Sequence, residues 1–300
     1  MSANQASRMG IGIIGAGRVG AVLGSALRAQ GHAITGVYAV SDDSINRAEM
    51  LLPEVPILDV PTIVERSEVV LLTVPDDQLA DLVQGLADAK LIPGGQIILH
   101  TSGRYGIDVL APAEKAGAVT IALHPAMTFT GTSVDIPRLQ GCPFGVTAKP
   151  PFLPIAQALA VEIGGEPFVI AEGDRPLYHA ALAHGANHVC TLISQARELL
   201  FQIGIDDPGR FLSPLISAAV SESLDRGIAA LTGPVRRGDA KTVTAHLDYL
   251  HEASPEIAET YFDLAHATLV AAIEGGLLSE QQEQKIKDAL EAKKSGIKND

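Results

Sequence analysis

A histidine and a proline close an apolar run: residues 118–130 read AVTIALHPAMTFT, with His124 and Pro125 where the run ends. An imidazole has an ordinary pKa of about 6.5, so a histidine held there can pass a proton near neutral pH. A second polar set, His100-Thr-Ser102-Gly103, also follows an apolar stretch. A third lies in the text Tyr178-His-Ala-Ala-Leu-Ala-His184-Gly-Ala-Asn187-His188. There His184, Asn187, His188 and Thr191 recur at helical spacing and share one face. The fourth set is Arg236 and Arg237, whose planar forks can clamp a carboxylate. An ion pair with Asp239 at a helix terminus is the competing use for them.

These residue types suit hydride transfer to a carbonyl. The protein must give a proton or a hydrogen bond to the oxygen where charge develops, and must hold the rest of the substrate. His124 is the first choice for the acid, with Ser102 and Asn187 as hydrogen-bond partners and His184 as the rival acid. Gly103, Pro125, Tyr178, His188, Arg236 and Arg237 are the candidates for substrate contacts. The spacing of His184 and His188 would suit a metal ion, but no acidic residue stands at a matching spacing, so no metal is expected.

A reductase also needs a hydride source. Residues 10–31 read GIGIIGAGRVGAVLGSALRAQG, a short apolar strand running into Gly15-Ala16-Gly17-Arg18-Val19-Gly20 and then an amphipathic helix. Gly15 permits the tight turn, Gly17 lets backbone approach a pyrophosphate, and Gly20 lets helix pack closely on strand. The helix N-terminus offers amide N–H groups to the phosphates. A second strand, HAITGVYAV, follows at the distance a dinucleotide-binding unit requires. It ends at Val40-Ser41 without a carboxylate; Ser41 and Ser44 could donate to a 2′-phosphate, with Arg47 or Arg18 pairing with it. That favours NADP. The alternative is NAD, with Asp42 or Asp43 on the ribose.

The elements that position these groups alternate as strand and helix. Strands are expected at 68–74, 96–100, 118–123, 143–147 and 167–170, and helices between them. Buried on both faces, such strands read as continuous apolar runs. Ligands bind beyond the carboxyl ends of the strands, where Val74-Pro75-Asp76, His100–Gly103 and His124-Pro125 all stand. From residue 172 onward the pattern is helical. A helix over 176–204 far exceeds the common length of about 11–12 residues and suits the spine of a helical domain or a dimer interface. Further helices begin near Pro208 and at 239, 254 and 279, with Ser279 and Gln282 at capping-box spacing. The expected architecture is α/β: a doubly wound parallel sheet over 8–171, then an all-helical substrate and dimerisation domain over 172–300.

Composition narrows the function classes. The chain has 300 residues and a formal net charge of −13, a poor match for nucleic acid. The tail EAKKSGIKND mixes lysines with acids and reads as a solvated end. No run of 18 apolar residues suggests a membrane span. Gly-rich residues 10–27 could imitate a signal peptide, but their spacing assigns them to the nucleotide loop. Cys142 and Cys190, without metal-ligand neighbours, read as reduced thiols of a cytoplasmic protein.

The chain resembles the 6-phosphogluconate-dehydrogenase-like superfamily of β-hydroxyacid dehydrogenases. Within it the match is to proteins that join a Rossmann-like domain to domain of unknown function 2520. The Gly15–Gly20 loop, His100–Gly103, Leu123-His124-Pro125, the Tyr178–Asn187 helix and the string Leu231-Thr-Gly-Pro-Val-Arg-Arg-Gly-Asp239 carry it. The resemblance implies a homodimer through the helical domain. In β-hydroxyacid dehydrogenases a Lys-x-x-Asn pair serves proton transfer; here the spacing is His184-x-x-Asn187, so the asparagine carries over and the lysine does not. Prephenate dehydrogenases are similar in architecture and use a serine and a His-Pro histidine, matched by Ser102 and His124. Reductases of the pantothenate pathway also resemble this group, which implies ketopantoate as a substrate. The expected activity is NADPH-dependent reduction of a small 2-oxo acid. A prephenate-type dehydrogenase and a nucleotide-binding sensor without catalysis are the alternatives.

Overall fold

The computed structural model describes residues 8–297, with side chains through 294. The first seven residues and 298–300 of the lysine-bearing tail lie outside the described residues. Two compact units divide the chain, Met1–Ala186 and Asn187–Asp300.

The first unit is built on a seven-stranded sheet: β1 (Gly10–Ile14), β2 (Ala33–Tyr38), β3 (Val69–Leu72), β4 (Ile97–His100), β5 (Val119–Pro125), β6 (Pro143–Ala148) and β7 (Glu166–Val169). Their order is β2-β1-β3-β4-β5-β6-β7. Strands β1 to β5 run parallel, so the carboxyl ends of β1, β3, β4 and β5 share one edge. Between the strands come α1 (Arg18–Ala29), α2 (Asp42–Leu51), α3 (Val60–Arg66), α4 (Asp76–Asp88), α5 (Ala111–Lys115), α6 (Asp135–Arg138) and α7 (Leu153–Glu162).

The continuous apolar strands feed two cores. Ile11, Ile13, Leu71, Leu99 and Ile121 enter one; Ile14, Val70, Leu72 and Ile98 enter the other. Alternate side chains thus fill opposite faces of a sheet covered on both sides.

Three features differ from the reading of the sequence. Strands β6 and β7 are parallel to each other, but β6 is antiparallel to β5. The sheet is therefore mostly parallel with a reversed pair at one edge. His124 and Pro125 do not follow β5; they are its last two residues, opposite Gly145 and Phe144. The helix expected between the strands at 96–100 and 118–123 is a short 3₁₀ turn, Asp108–Leu110, and then α5.

Downstream lie α8 (Arg175–Gln202), α9 (Pro208–Arg226), α10 (Gly233–Arg237), α11 (Ala240–Ala253), α12 (Pro255–Glu274) and α13 (Glu280–Ile297). The division between the units falls within α8. In the second unit Val235, Val243, Leu247, Phe262, Leu269, Ile286 and Leu290 form a core drawn from α10 to α13. Capping follows the sequence. Ser254 accepts from the Ile257 amide, while Ser279 and Gln282 exchange the reciprocal bonds of a capping box.

Candidate functional site

The glycine loop is built as a cradle. Gly15 has φ +105°, and a Cβ there would stand 2.8 Å from the Thr73 carbonyl oxygen, so both conformation and space demand glycine. A Cβ at Gly20 would meet the Gly15 carbonyl at 2.2 Å, which is the close helix–strand contact expected of that position. At Gly17 the nearest atom to such a Cβ is 3.9 Å away, so this residue faces open space. Gly17 is the N-cap of α1, contributes no side-chain cap, and no acid stands in the first turn. The first amides of α1 are thus left to an anionic ligand, and the donor set fits a pyrophosphate.

Arg47 from α2 reaches this loop, its Nη1 donating to the Ala16 carbonyl at 3.3 Å. Arg18 and Arg47 both lie against Gly131, whose added Cβ would be 2.9 Å from Arg18 Cγ and 2.7 Å from Arg47 Nε. Two guanidinium-bearing residues therefore meet beside the end of the loop. Ser41 caps α2, accepting from the Ser44 amide at 3.3 Å, and Ser44 Oγ donates back to the Ser41 carbonyl at 2.8 Å. Asp42 and Asp43 occupy the first turn of that helix. Pro75 is the N-cap of α4 and Asp76 its first residue, next to the carboxyl end of β3.

The second cluster centres on His124. Its Nδ1 is hydrogen-bonded to the Tyr178 hydroxyl at 2.8 Å. The rings of Tyr178 and His179 stand edge-on to it, at centroid distances of 5.6 and 6.4 Å. Two glycines clear the space. A Cβ at Gly103 would stand 2.8 Å from His124 Nε2, and one at Gly145 would stand 2.6 Å from the Tyr178 hydroxyl. Burial pushes the His124 ring down to about 4, with the charge of Arg175 acting in the same direction. The ordinary histidine value read from the sequence therefore does not hold here. At neutral pH the ring is uncharged and offers a lone pair. Burial pushes the Tyr178 hydroxyl up, while Arg175 pulls it down.

His100 and Ser102 organise the turn beside this pair. His100 is fully buried; its Nδ1 accepts from the Ser102 amide at 3.1 Å, and Nε2 is bonded to the Gly106 carbonyl at 2.7 Å. Those partners fix the tautomer, with the proton on Nε2. Ser102 Oγ accepts from the amides of Arg104 and Tyr105 at 3.2 and 3.3 Å. Ser102 was expected to bond His124; its recorded side-chain partners are turn amides, and Tyr178 takes the His124 contact instead.

Sequence reasoning missed Arg175 and His179. Arg175 stands one helical turn before Tyr178, so i,i+3 spacing from that tyrosine was the available signal. It is 1% exposed. Conversely, His184, Asn187, His188 and Thr191 are exposed on α8. On a continuous helix at about 100° per residue, Asn187 points half a turn away from Tyr178.

Arg236 and Arg237 belong to the second unit. Arg236 donates to the Leu277 carbonyl, and the Arg237 carbonyl accepts from Gln282 at 3.1 Å. Asp239 caps α11 through Thr242, whose amide lies 3.1 Å from it. Among the described residues no group of three or more His, Cys, Asp or Glu side chains is placed to hold a metal. No described helix is long and apolar enough to cross a membrane.

The sheet order, the Gly15–Gly20 cradle and the uncapped α1 define a Rossmann-type domain with a helical part after it. Residues 1–125 match the Rossmann-like domain model, and residues 142–268 match domain of unknown function DUF2520. The two matches lie in that order along the chain and leave residues 126–141 and 269–300 outside them. Its fold is similar to that of a Bacteroides fragilis protein provisionally assigned as an NADP oxidoreductase, at 22% identity and TM-score 0.73, covering 87% of this chain and 98% of that one. It is similar to a Thermotoga maritima protein at 22% identity and TM-score 0.64, covering 88% and 99%. It is also similar to a reductive aminase from Aspergillus terreus in complex with NADPH and ethyl levulinate, at 17% identity and TM-score 0.63, covering 94% and 99%. No curated protein matches the chain significantly.

Proposed function

We propose that the protein is an NADPH-dependent oxidoreductase that reduces a small 2-oxo acid such as ketopantoate. One observation carries this reading: the nucleotide cradle and the His124–Tyr178 pair stand at carboxyl ends of strands in the same sheet, the edge where such folds bind ligands. When bound, NADPH supplies the hydride. The amides of α1 hold its pyrophosphate, and Arg18 and Arg47 pair with the 2′-phosphate. Tyr178 presents its hydroxyl to the substrate oxygen, and His124 Nδ1 orients that hydroxyl. Gly103 and Gly145 leave room for the reacting group. His184, exposed on the same helix as Tyr178, is assigned to the remainder of the substrate site.

A second reading, reduction of a C=N bond, is favoured by the similarity to a reductive aminase. Both reactions use the same cradle and the same proton donor. Following NADPH oxidation with a panel of small 2-oxo acids, with and without added ammonium or amine, separates them. Turnover without amine supports carbonyl reduction; turnover that requires amine supports imine reduction. Turnover of prephenate with NAD would favour the prephenate-type alternative. Tight NADPH binding with no turnover of any acceptor would favour a sensor.

The working form is a homodimer through the helical part. Helix α8 buries Arg175 alone, and α9 buries Pro208 alone. Phe211, Leu215, Val220 and Leu224 of α9 are 62%, 69%, 41% and 82% exposed. They spread over opposite sides of the helix, a pattern suited to an interior helix. The two free thiols, Cys142 and Cys190, support the cytoplasm as the compartment.

A further inference from the structure

The loop that follows β5 runs back to the glycine loop between β1 and α1. Gly131 makes the contact; it is buried and has φ +81°. A Cβ there would stand 2.7 Å from Arg47 Nε, 2.9 Å from Arg18 Cγ and 3.2 Å from Arg18 Cα, so conformation and space both require glycine. Arg18 is the first residue of α1, and Arg47 lies on α2. The turn thus forms a wall against both arginines expected at the 2′-phosphate.

A buried carboxylate holds this turn. Asp135 of α6 is fully buried. Its Oδ2 accepts from the amides of Thr130 and Gly131 at 2.7 and 2.8 Å, and from Thr130 Oγ1 at 3.0 Å. Its Oδ1 is 3.5 Å from Nη1 of Arg138, whose side chain is largely exposed. The Asp135 amide donates in turn to the Thr132 carbonyl at 3.1 Å. Phe129 and Leu139, on either side of these residues, enter the same core as Leu23 and Leu27 of α1.

A carboxylate is costly to bury unless its oxygens are bonded. Three donors converge on one oxygen here, all from Thr130 and Gly131, so the carboxylate fixes the conformation of those two residues. A turn that merely joined β5 to α6 could leave its amides to water at no such cost. What this turn touches is a pair of long, flexible side chains. Arginines lose rotamer freedom when they grip a ligand, and a rigid wall beside them lowers that cost in advance.

We propose that Asp135 is a positioning residue for NADPH: by locking Thr130 and Gly131 it fixes the wall on which Arg18 and Arg47 lie, and so sets the preference for the phosphorylated nucleotide. The inference rests on the reading that these arginines pair with the 2′-phosphate. Asp135 acts through the turn and touches no nucleotide.

The test is calorimetric titration of NADPH and NADH against the full chain as wild type, Asp135→Ala, Gly131→Ala and Arg47→Ala. Asp135→Ala leaves the two turn amides without their acceptor. It should weaken NADPH by roughly 5- to 10-fold, part of the worth of a charge-assisted bond, and leave NADH within about twofold. Equal weakening of both nucleotides overturns the proposal, since that pattern belongs to a general loosening of the domain. Unchanged affinity for both overturns it as well. If Asp135→Ala does not fold, Gly131→Ala decides, because it presses on Arg47 without altering the carboxylate. Selective loss of NADPH then supports the proposal, and an unchanged preference overturns it. Arg47→Ala checks the reading beneath. If it leaves the preference for NADPH intact, the 2′-phosphate reading fails and takes the Asp135 role with it. If it abolishes the preference while Asp135→Ala retains it, the Asp135 role alone fails.

Discussion

The Tyr178 hydroxyl stands 2.8 Å from His124 Nδ1, so the first turns of α8 bring a phenolic hydroxyl to the penultimate residue of β5. This contact ties the start of the long helix to the sheet edge.

Tyr178→Phe removes the hydroxyl and keeps the ring against Arg175. Turnover should fall by roughly 10²- to 10⁴-fold, the usual worth of a positioned acid, with NADPH affinity unchanged. His124→Asn should also lower turnover, because the hydroxyl loses the ring nitrogen that orients it. Steady-state kinetics beside nucleotide titration checks both. Turnover of Tyr178→Phe within a few-fold of wild type would remove the hydroxyl from the chemistry.

Arg47→Ala should discriminate between the two nucleotides. Loss of a charge-assisted bond to the 2′-phosphate weakens NADPH binding by roughly 10- to 100-fold, and NADH, which lacks that phosphate, should bind as before. Calorimetric titration of both nucleotides measures this. Equal losses for the two would place Arg47 in the loop's architecture, through its bond to Ala16, and not in phosphate recognition.

Acid should destabilise the fold through His100. Burial pushes its folded-state value down to about 4, whereas an unfolded imidazole titrates at about 6.5. Between those values the unfolded chain binds the extra proton, so stability rises with pH across the window and is lost as pH falls towards 4. At neutral pH the full contribution is on the order of 3 kcal/mol. His124, depressed in the same direction, adds to the slope. Urea unfolding at a series of pH values should show this dependence, and His100→Asn should flatten it. An equally steep slope in the variant would assign the effect to other groups.

Leu215→Asp and Leu224→Asp should split the proposed dimer. Both leucines are largely exposed on α9, and a charge placed in a packed interface typically costs more than about 2 kcal/mol. Sedimentation should then shift from two chains to one. Wild-type protein that sediments as a single chain would contradict the dimer directly.

The legible parts of this molecule were those set by local pattern. Glycine spacing marked the β1–α1 turn, because φ and Cβ clearance at Gly15 and Gly20 are properties of the chain itself. Apolar runs marked the strands, and Ser279 with Gln282 marked a helix start. The reversal of β6 was not legible, since it depends on how residues 126–142 lead the chain back beside β5. Arg175 was not legible as a buried group. Nothing in Asp174-Arg175-Pro176 distinguishes it from a surface arginine, and its acceptors come from three distant segments. His124 and Tyr178 were both read as site residues, but their contact arises from tertiary packing.

The most direct test is NADPH consumption by wild type and Tyr178→Phe with a panel of small 2-oxo acids, with and without amine, beside NADPH affinities for both proteins. The account predicts tight NADPH binding by both proteins, turnover of at least one acceptor by wild type, and a loss of two or more orders of magnitude in the variant. Equal turnover by the two proteins, or NADPH binding with no acceptor reduced by wild type, would contradict it.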